Sequence, residues 1–171
     1  MKTEKLKERI PILLVEDDND DIHLTERAFS KGKILNKLYV VNDGKEAMDF
    51  LLHQGRFTNP DDAPRPGVIL LDLNMPLMDG REVLRRIKSN EDLRRIPVVV
   101  LTTSNREKDI LEAYDSGANT FITKPVEFDT FLNAIITMGK YWLSIAEVPD
   151  GNDFNSGVED NNVCRKKPAA V

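Results

Sequence analysis

Five short apolar runs, each followed by a longer stretch with apolar residues at helical spacing, constrain this chain more than any other feature. The runs Ile12–Val15, Leu38–Val41, Val68–Leu71, Val98–Leu101 and Thr120–Thr123 predict strands. The third is continuous in branched aliphatics, as expected of a strand buried on both faces. The intervening stretches Asp18–Lys31, Gly44–Leu52, Asp79–Ser89, Arg106–Ser116 and Glu127–Ile145 predict helices. Ala47, Met48, Leu51 and Leu52 share one helical face, and Gly117 stands where a C-cap is needed. Strand–helix repetition of this kind predicts an α/β domain with a doubly wound, five-stranded parallel sheet. In strand order 2-1-3-4-5, ligands bind at the carboxyl ends of the strands, so the residues that end each strand matter most.

Two segments break the rhythm. His53–Gly67 is a long connection with Pro60, Pro64 and Pro66, and a loop of that length is expected to be functional or disordered. Residues 1–10 read as an extension and 11–146 as the domain. Residues 147–171 read as a disordered, polar tail ending near Arg165-Lys166-Lys167, which is more simply a solvated segment than a basic patch. A net charge of −5 argues against a nucleic-acid partner. One cysteine, Cys164, allows no internal disulfide and no zinc site with only His23 and His53 to help. The charged start MKTEKLKERI is no secretory signal, and no apolar run reaches membrane-spanning length. The expectation is a soluble cytoplasmic protein with no membrane partner.

The strand ends carry complementary chemistry. Strand one ends in Glu16-Asp17-Asp18, strand three in Asp72, strand four in Thr102-Thr103-Ser104 and strand five in Lys124-Pro125. Asp18 alone is well explained as a helix cap, and Asp79 likewise caps the third helix beside Gly80. The set is not so explained. Clustered carboxylates repel one another unless a cation intervenes. Magnesium, or manganese, prefers oxygen ligands and retains waters. Asp17 and Asp72 can supply carboxylate oxygens, the Asn74 backbone carbonyl a third ligand, and Glu16 a contact through water. Lys124 adds a fixed positive charge. Phosphoryl transfer needs such neutralisation, and a carboxylate can be its nucleophile. Asp72, ending the central strand, is the best placed, with Thr102 able to bond a phosphoryl oxygen.

These blocks resemble the receiver domain of two-component response regulators, over Ile12 to about Leu143. They are Leu-Leu-Val-Glu16-Asp17-Asp18, Leu-Leu-Asp72-Leu-Asn-Met75-Pro76-Leu-Met-Asp79-Gly80, Ile-Pro97-Val-Val-Val-Leu-Thr102 and Gly117-Ala118-Asn-Thr-Phe121-Ile-Thr-Lys124-Pro125. The resemblance implies a flavodoxin-like receiver fold. It implies phosphorylation of Asp72 by a sensor histidine kinase, a magnesium pocket at Glu16 and Asp17, and Thr102 with Lys124 as the switch pair. It places Phe121 at the aromatic switch position and implies a commonly cis Lys-Pro bond. Thr103 departs from the family, where Ala is frequent, and Asn74 and Ser104 stand where members tune hydrolysis of the phosphoryl bond. The segment Asn59–Pro66, the run Thr102-Thr103-Ser104 and the end Lys140-Tyr141-Trp142-Leu143 further resemble the small regulators that partner bacterial phytochromes.

No second globular domain is evident, so output is expected through phosphorylation-dependent binding on the face of helix four, strand five and helix five. No enzymatic role is expected beyond self-catalysed phosphoryl acceptance and slow autodephosphorylation. The last helix carries Phe128, Phe131, Leu132, Ile135, Ile136, Met138, Tyr141, Trp142 and Leu143, more than one stripe. The excess predicts a homodimer using Tyr141 and Trp142, the alternative being that the extension folds back on its own domain. His23 and the group Asp109, Glu112 and Asp115 read as solvated surface, and Met75 and Met78 as packing. A phosphatase would need an acid at position 74, a flavin site would need a phosphate cradle after strand one, and a nucleotide enzyme would need a Gly-rich loop. An adaptor that keeps the fold but works without phosphorylation stays open.

Overall fold

The computed structural model describes residues 10–146. The proposed N-terminal extension, apart from Ile10, and the proposed tail lie outside them. Five strands, β1 (Ile12–Val15), β2 (Leu38–Val41), β3 (Val68–Leu71), β4 (Val98–Thr102) and β5 (Thr120–Thr123), form one parallel sheet in the order 2-1-3-4-5. β1 pairs with β2 and β3 in the same register, Ile12 facing Leu38 on one side and Val68 on the other. The helices are α1 (Asn19–Lys31), α2 (Gly44–Leu51), α3 (Gly80–Ser89), α4 (Glu107–Asp115) and α5 (Phe128–Gly139).

Alternate strand residues enter opposite layers, as the pleat requires. Leu13, Val15, Ile69, Leu71, Val98 and Val100 pack with Ala47 and Phe50 of α2, Val83, Leu84 and Ile87 of α3, and Ala113 of α4. Ile12, Leu14, Val68, Leu70, Val99 and Leu101 pack with Ile22, Ala28 and Phe29 of α1 and Phe131, Ile135 and Met138 of α5. Both faces of the sheet are thus covered, and each buried Leu or Ile contributes about 1.5–3 kcal/mol. The helix starts follow the sequence: Asp18, Asp43 and Asp79 each accept backbone N–H groups as N-caps.

Two expectations need correction. The connection 53–67 is a packed structural element among the described residues. It contains a 3₁₀ turn at Gly55–Phe57, its Phe57 ring stands edge-on to Phe50 at 5.2 Å, and Ala63 is buried. The His53 ring bonds the Ala63 carbonyl at 2.9 Å, and the Gly67 N–H donates to Pro11. Its length therefore serves packing over the α2 layer. The last helix is also not one α-helix to Ile145. It is α-helical to Gly139 and continues as a π-helix over Lys140–Ile145. The change falls at Gly139, where a Cβ would lie 2.9 Å from Ile34, so the wider winding lets the chain hug the loop after α1. It turns Leu143 inwards and leaves Trp142 half-buried against the α1/α5 layer.

Lys88 locks the far edge of the sheet. Its Nζ donates to the carbonyls of Ile96 (2.8 Å) and Arg94 (3.2 Å) and to Asn119 Oδ1 (3.0 Å), which also accepts the Val98 N–H. Burial pulls its pKa down to about 8. Replacing Lys88 by Met removes the donor from the part-buried Ile96 carbonyl, so Lys88→Met is expected to destabilise the fold by about 1–3 kcal/mol in urea unfolding at neutral pH, and an unchanged midpoint would refute this role.

Candidate functional site

The carboxyl edge of the sheet gathers the strand-end residues as the sequence predicted. Glu16 follows β1, Asp72 follows β3, Thr102 closes β4 and Lys124 follows β5. Glu16 and Asp72 are 2% and 6% exposed, and Thr102 is fully buried. Such burial of charge is tolerable only with partners, and Lys124 is that partner. Its Nζ lies 2.5 Å from Glu16 Oε2, 2.6 Å from Asp21 Oδ2 and 3.3 Å from Asp72 Oδ2. Asp21 was not anticipated. It sits in the first turn of α1, and the acidic run from Glu16 to Asp21 was the only signal that could have found it.

Burial works against the Lys124 charge, but Asp72, Asp21 and Glu16 outweigh it and hold the ammonium above the ordinary lysine range. Burial raises the Glu16 carboxyl from 4.5 to about 7, against the pull of Lys124 and with a further push from the Asp72 charge.

Glu16, Asp17 and Asp72 can each offer one carboxylate oxygen such that all three lie within 4.8 Å of one another. Carboxylates at this edge outnumber the one ammonium, and the donors are all hard oxygens. The residues present therefore fit a divalent cation of the magnesium or manganese kind.

Asn74 does more than the sequence assigned to it. Its N–H donates to Asp72 Oδ1 (3.1 Å), and its side-chain amide donates to Thr102 Oγ1 (3.1 Å), bridging the ends of β3 and β4. Gly80 brings the start of α3 against the same loop: a Cβ there would lie 2.0 Å from the Asp72 carbonyl oxygen, so no other residue fits. Phe121 is half-buried against the α2/α3/α4 layer, Thr103 is exposed, and Lys124–Pro125 is trans, like every peptide bond among the described residues.

Asp109 is not solvated surface. It is 4% exposed, and the Ser104 hydroxyl, Arg81 and Arg106 hold its carboxyl down at about 2. The helical pattern of α4 could not show this, because the partners come from α3 and from the loop after β4. His23 is exposed beside Glu26, and Met75 is buried in the core, as expected.

A family model described as the response regulator receiver domain matches residues 12–136. The chain belongs to the response regulator receiver family. It is 43% identical to response regulator Rcp1 of Synechocystis sp. over 138 residues, which are 81% of this chain and 92% of that protein. It is similar in structure to the phosphorylated cyanobacterial phytochrome response regulator RcpA, with a TM-score of 0.77 and 43% identity, covering 83% of this chain and 99% of that one. The Mn(2+)-bound form of Rcp1 gives a TM-score of 0.75 at 41% identity, covering 82% and 99%. Among the described residues of this receiver no helix is long and apolar enough to cross a membrane.

The raised Glu16 pKa has a measurable sign. Between 4.5 and about 7 the folded state binds this proton more tightly than the unfolded chain does. Its contribution to stability is therefore full below about 4.5 and lost as pH rises through about 7. In chelator, the Tm of the wild type should fall across that window relative to Glu16→Gln; parallel Tm profiles would contradict it.

Proposed function

We propose that Asp72 is the phosphoacceptor of a response regulator that is phosphorylated by a sensor histidine kinase. The observation that carries this is the Asp72 carboxylate itself: buried, 3.3 Å from the Lys124 ammonium, and within 4.8 Å of a Glu16 and an Asp17 carboxylate oxygen. In the transfer, an Asp72 carboxylate oxygen attacks phosphorus, the bond from phosphorus to the donor's imidazole nitrogen breaks, and that nitrogen keeps the electron pair. Lys124 neutralises an oxygen of the incoming group, and the Thr102 hydroxyl donates to another. A magnesium or manganese ion held by Asp17, Asp72, the Asn74 carbonyl and Glu16 would neutralise the remaining charge. Water later hydrolyses the acyl phosphate, slowly, and the protein has no other catalytic duty.

The donor is proposed to dock over the edge that carries the site. Leu77 and Val126, in the loops after β3 and β5, are 98% and 100% exposed and offer apolar contacts there. Likeness to RcpA, a phytochrome response regulator, supports a phytochrome-type kinase.

Output is proposed to run through Thr102 and Phe121 to the α4–β5–α5 face. Thr102 moves to the phosphoryl group and Phe121 fills the space it leaves. On that face an apolar groove of about 410 Å³ is lined by Ile122, Ala134, Met138, Tyr141 and Trp142, with the Tyr141 and Trp142 rings edge-to-face at 5.0 Å. This supports a homodimer through the face, with Tyr141, 52% exposed, as its anchor. The domain itself covers part of Trp142, so fold-back accounts for some of the apolar excess in the last helix.

Incubation with a small phosphodonor and magnesium should add one phosphoryl mass to the wild type and none to Asp72→Asn, by intact-mass spectrometry. Asp17→Asn should weaken the metal dependence. Equal labelling of wild type and Asp72→Asn would falsify the assignment. For the face, Tyr141→Ala is expected to lower the dimer fraction in light scattering, and an unchanged mass would exclude Tyr141 as its anchor.

A further inference from the structure

Outside the site, the most enclosed polar cluster is centred on Asp109. Both of its carboxylate oxygens are taken by side chains. Oδ1 lies 2.8 Å from an Arg81 nitrogen, and Oδ2 accepts from Arg106 Nε (2.9 Å) and from the Ser104 hydroxyl. Arg81 is itself only 14% exposed and reaches Asp79 at 3.1 Å with its other nitrogen. α4 does not need Asp109 for capping, since none of these contacts goes to its backbone and its N-cap residue, Arg106, makes no side-chain cap bond.

The cluster touches both halves of the phosphoryl site. On one side, Arg81 follows Gly80, which is seated against the Asp72 carbonyl. On the other, Ser104 is held at three atoms. Its hydroxyl donates to Asp109, its N–H donates to Thr102 Oγ1 (3.4 Å), and its carbonyl accepts from Thr123 Oγ1 (3.5 Å). Thr102 Oγ1 thereby accepts from Ser104 and Asn74 together. A continuous ring of contacts runs from Asp72 through Gly80, Arg81, Asp109 and Ser104 to Thr102.

We propose that Asp109 is a positioning residue for phosphoryl acceptance: through Ser104 it latches the loop after β4, and with it the Thr102 hydroxyl, in the unphosphorylated arrangement, while Arg81 anchors the latch to the Asp72 loop. This rests on Asp72 being the phosphoacceptor. The charge-assisted bond from Ser104 to Asp109 is stronger than the neutral bonds that also fix Ser104. When Thr102 swings towards a phosphoryl oxygen, the Ser104 N–H follows or is lost, and the latch opposes the first. An interaction made only in the starting state biases the equilibrium against the other state by its full differential strength. Removing it favours the arrangement that accepts the phosphoryl group.

The test uses the full chain with magnesium and phosphoramidate, following the mass adduct over time in the wild type, Asp109→Ala, Ser104→Ala and the double variant. Each single variant is expected to be labelled about threefold faster or more. The double variant is expected to be no faster than the quicker single one, because both remove the same contact. Manganese affinity, read by titration, is expected to stay that of the wild type in all three variants. A folded Asp109→Ala labelled at the wild-type rate or slower overturns the latch, as do additive effects. Should Asp109→Ala fail to fold, the initial labelling rate of Ser104→Ala, taken before hydrolysis contributes, decides alone, a faster rate supporting the latch and an equal or slower one overturning it. Absence of any adduct on the wild type instead sinks the Asp72 assignment, and the latch with it.

Discussion

The Lys124 ammonium is the interaction on which this edge of the molecule depends. It reaches Glu16 after β1, Asp21 in α1 and Asp72 after β3, and so fastens β5 to elements two and three strands away. Glu16 and Asp72 are too enclosed to be stabilised by bulk water, while Asp21 is partly exposed. Without the ammonium, the two buried carboxylates would face each other uncompensated. One long flexible cation thus compensates both of them in a buried place. It is also free to follow charge when a phosphoryl group arrives, because an ammonium on a four-carbon stem has no fixed geometry.

Around that centre the fold is rigid where the site needs it to be and polar only where the sheet ends. The two apolar layers confine buried charge to their margins, and the strands deliver their last residues to the carboxyl edge in register. Three kinds of link then hold the strand ends together: the Lys124 pairs, the Asn74 amide between Asp72 and Thr102, and the Asp109 cluster behind Ser104. Each is short-ranged and made of side chains, so each can change without disturbing the sheet. This separation between a packed frame and exchangeable side-chain contacts is what allows a local charge change to be read elsewhere as a shift between two arrangements.

The amino-acid sequence determined the frame and the identities of the site. Apolar runs of four or five residues, buried on both faces, specify a parallel sheet, and Asp18, Asp43 and Asp79 mark helix starts through local capping chemistry. Glu16, Asp17, Asp72, Thr102 and Lys124 were legible because each immediately follows or ends a strand, where the topology itself gathers side chains. Local rules suffice for these positions: alternation, capping and strand ends depend on a few neighbouring residues.

What only the tertiary structure decided depends on residues far apart in the chain. Asp21 joins Lys124 across 103 positions, and Asn74 joins Thr102 across 28. Asp109 looks like one more acid on an exposed helix until α3 brings Arg81 to it. The connection 53–67 looks like a free loop until Phe57 meets Phe50. The end of the last helix is a π-helix that follows the close approach of Gly139 to Ile34. Hydrophobic periodicity reports which face of an element is buried, but not which charged group from another element waits there. A buried ion pair is therefore invisible until both elements are packed, and here the carboxyl-edge site is held together by such pairs.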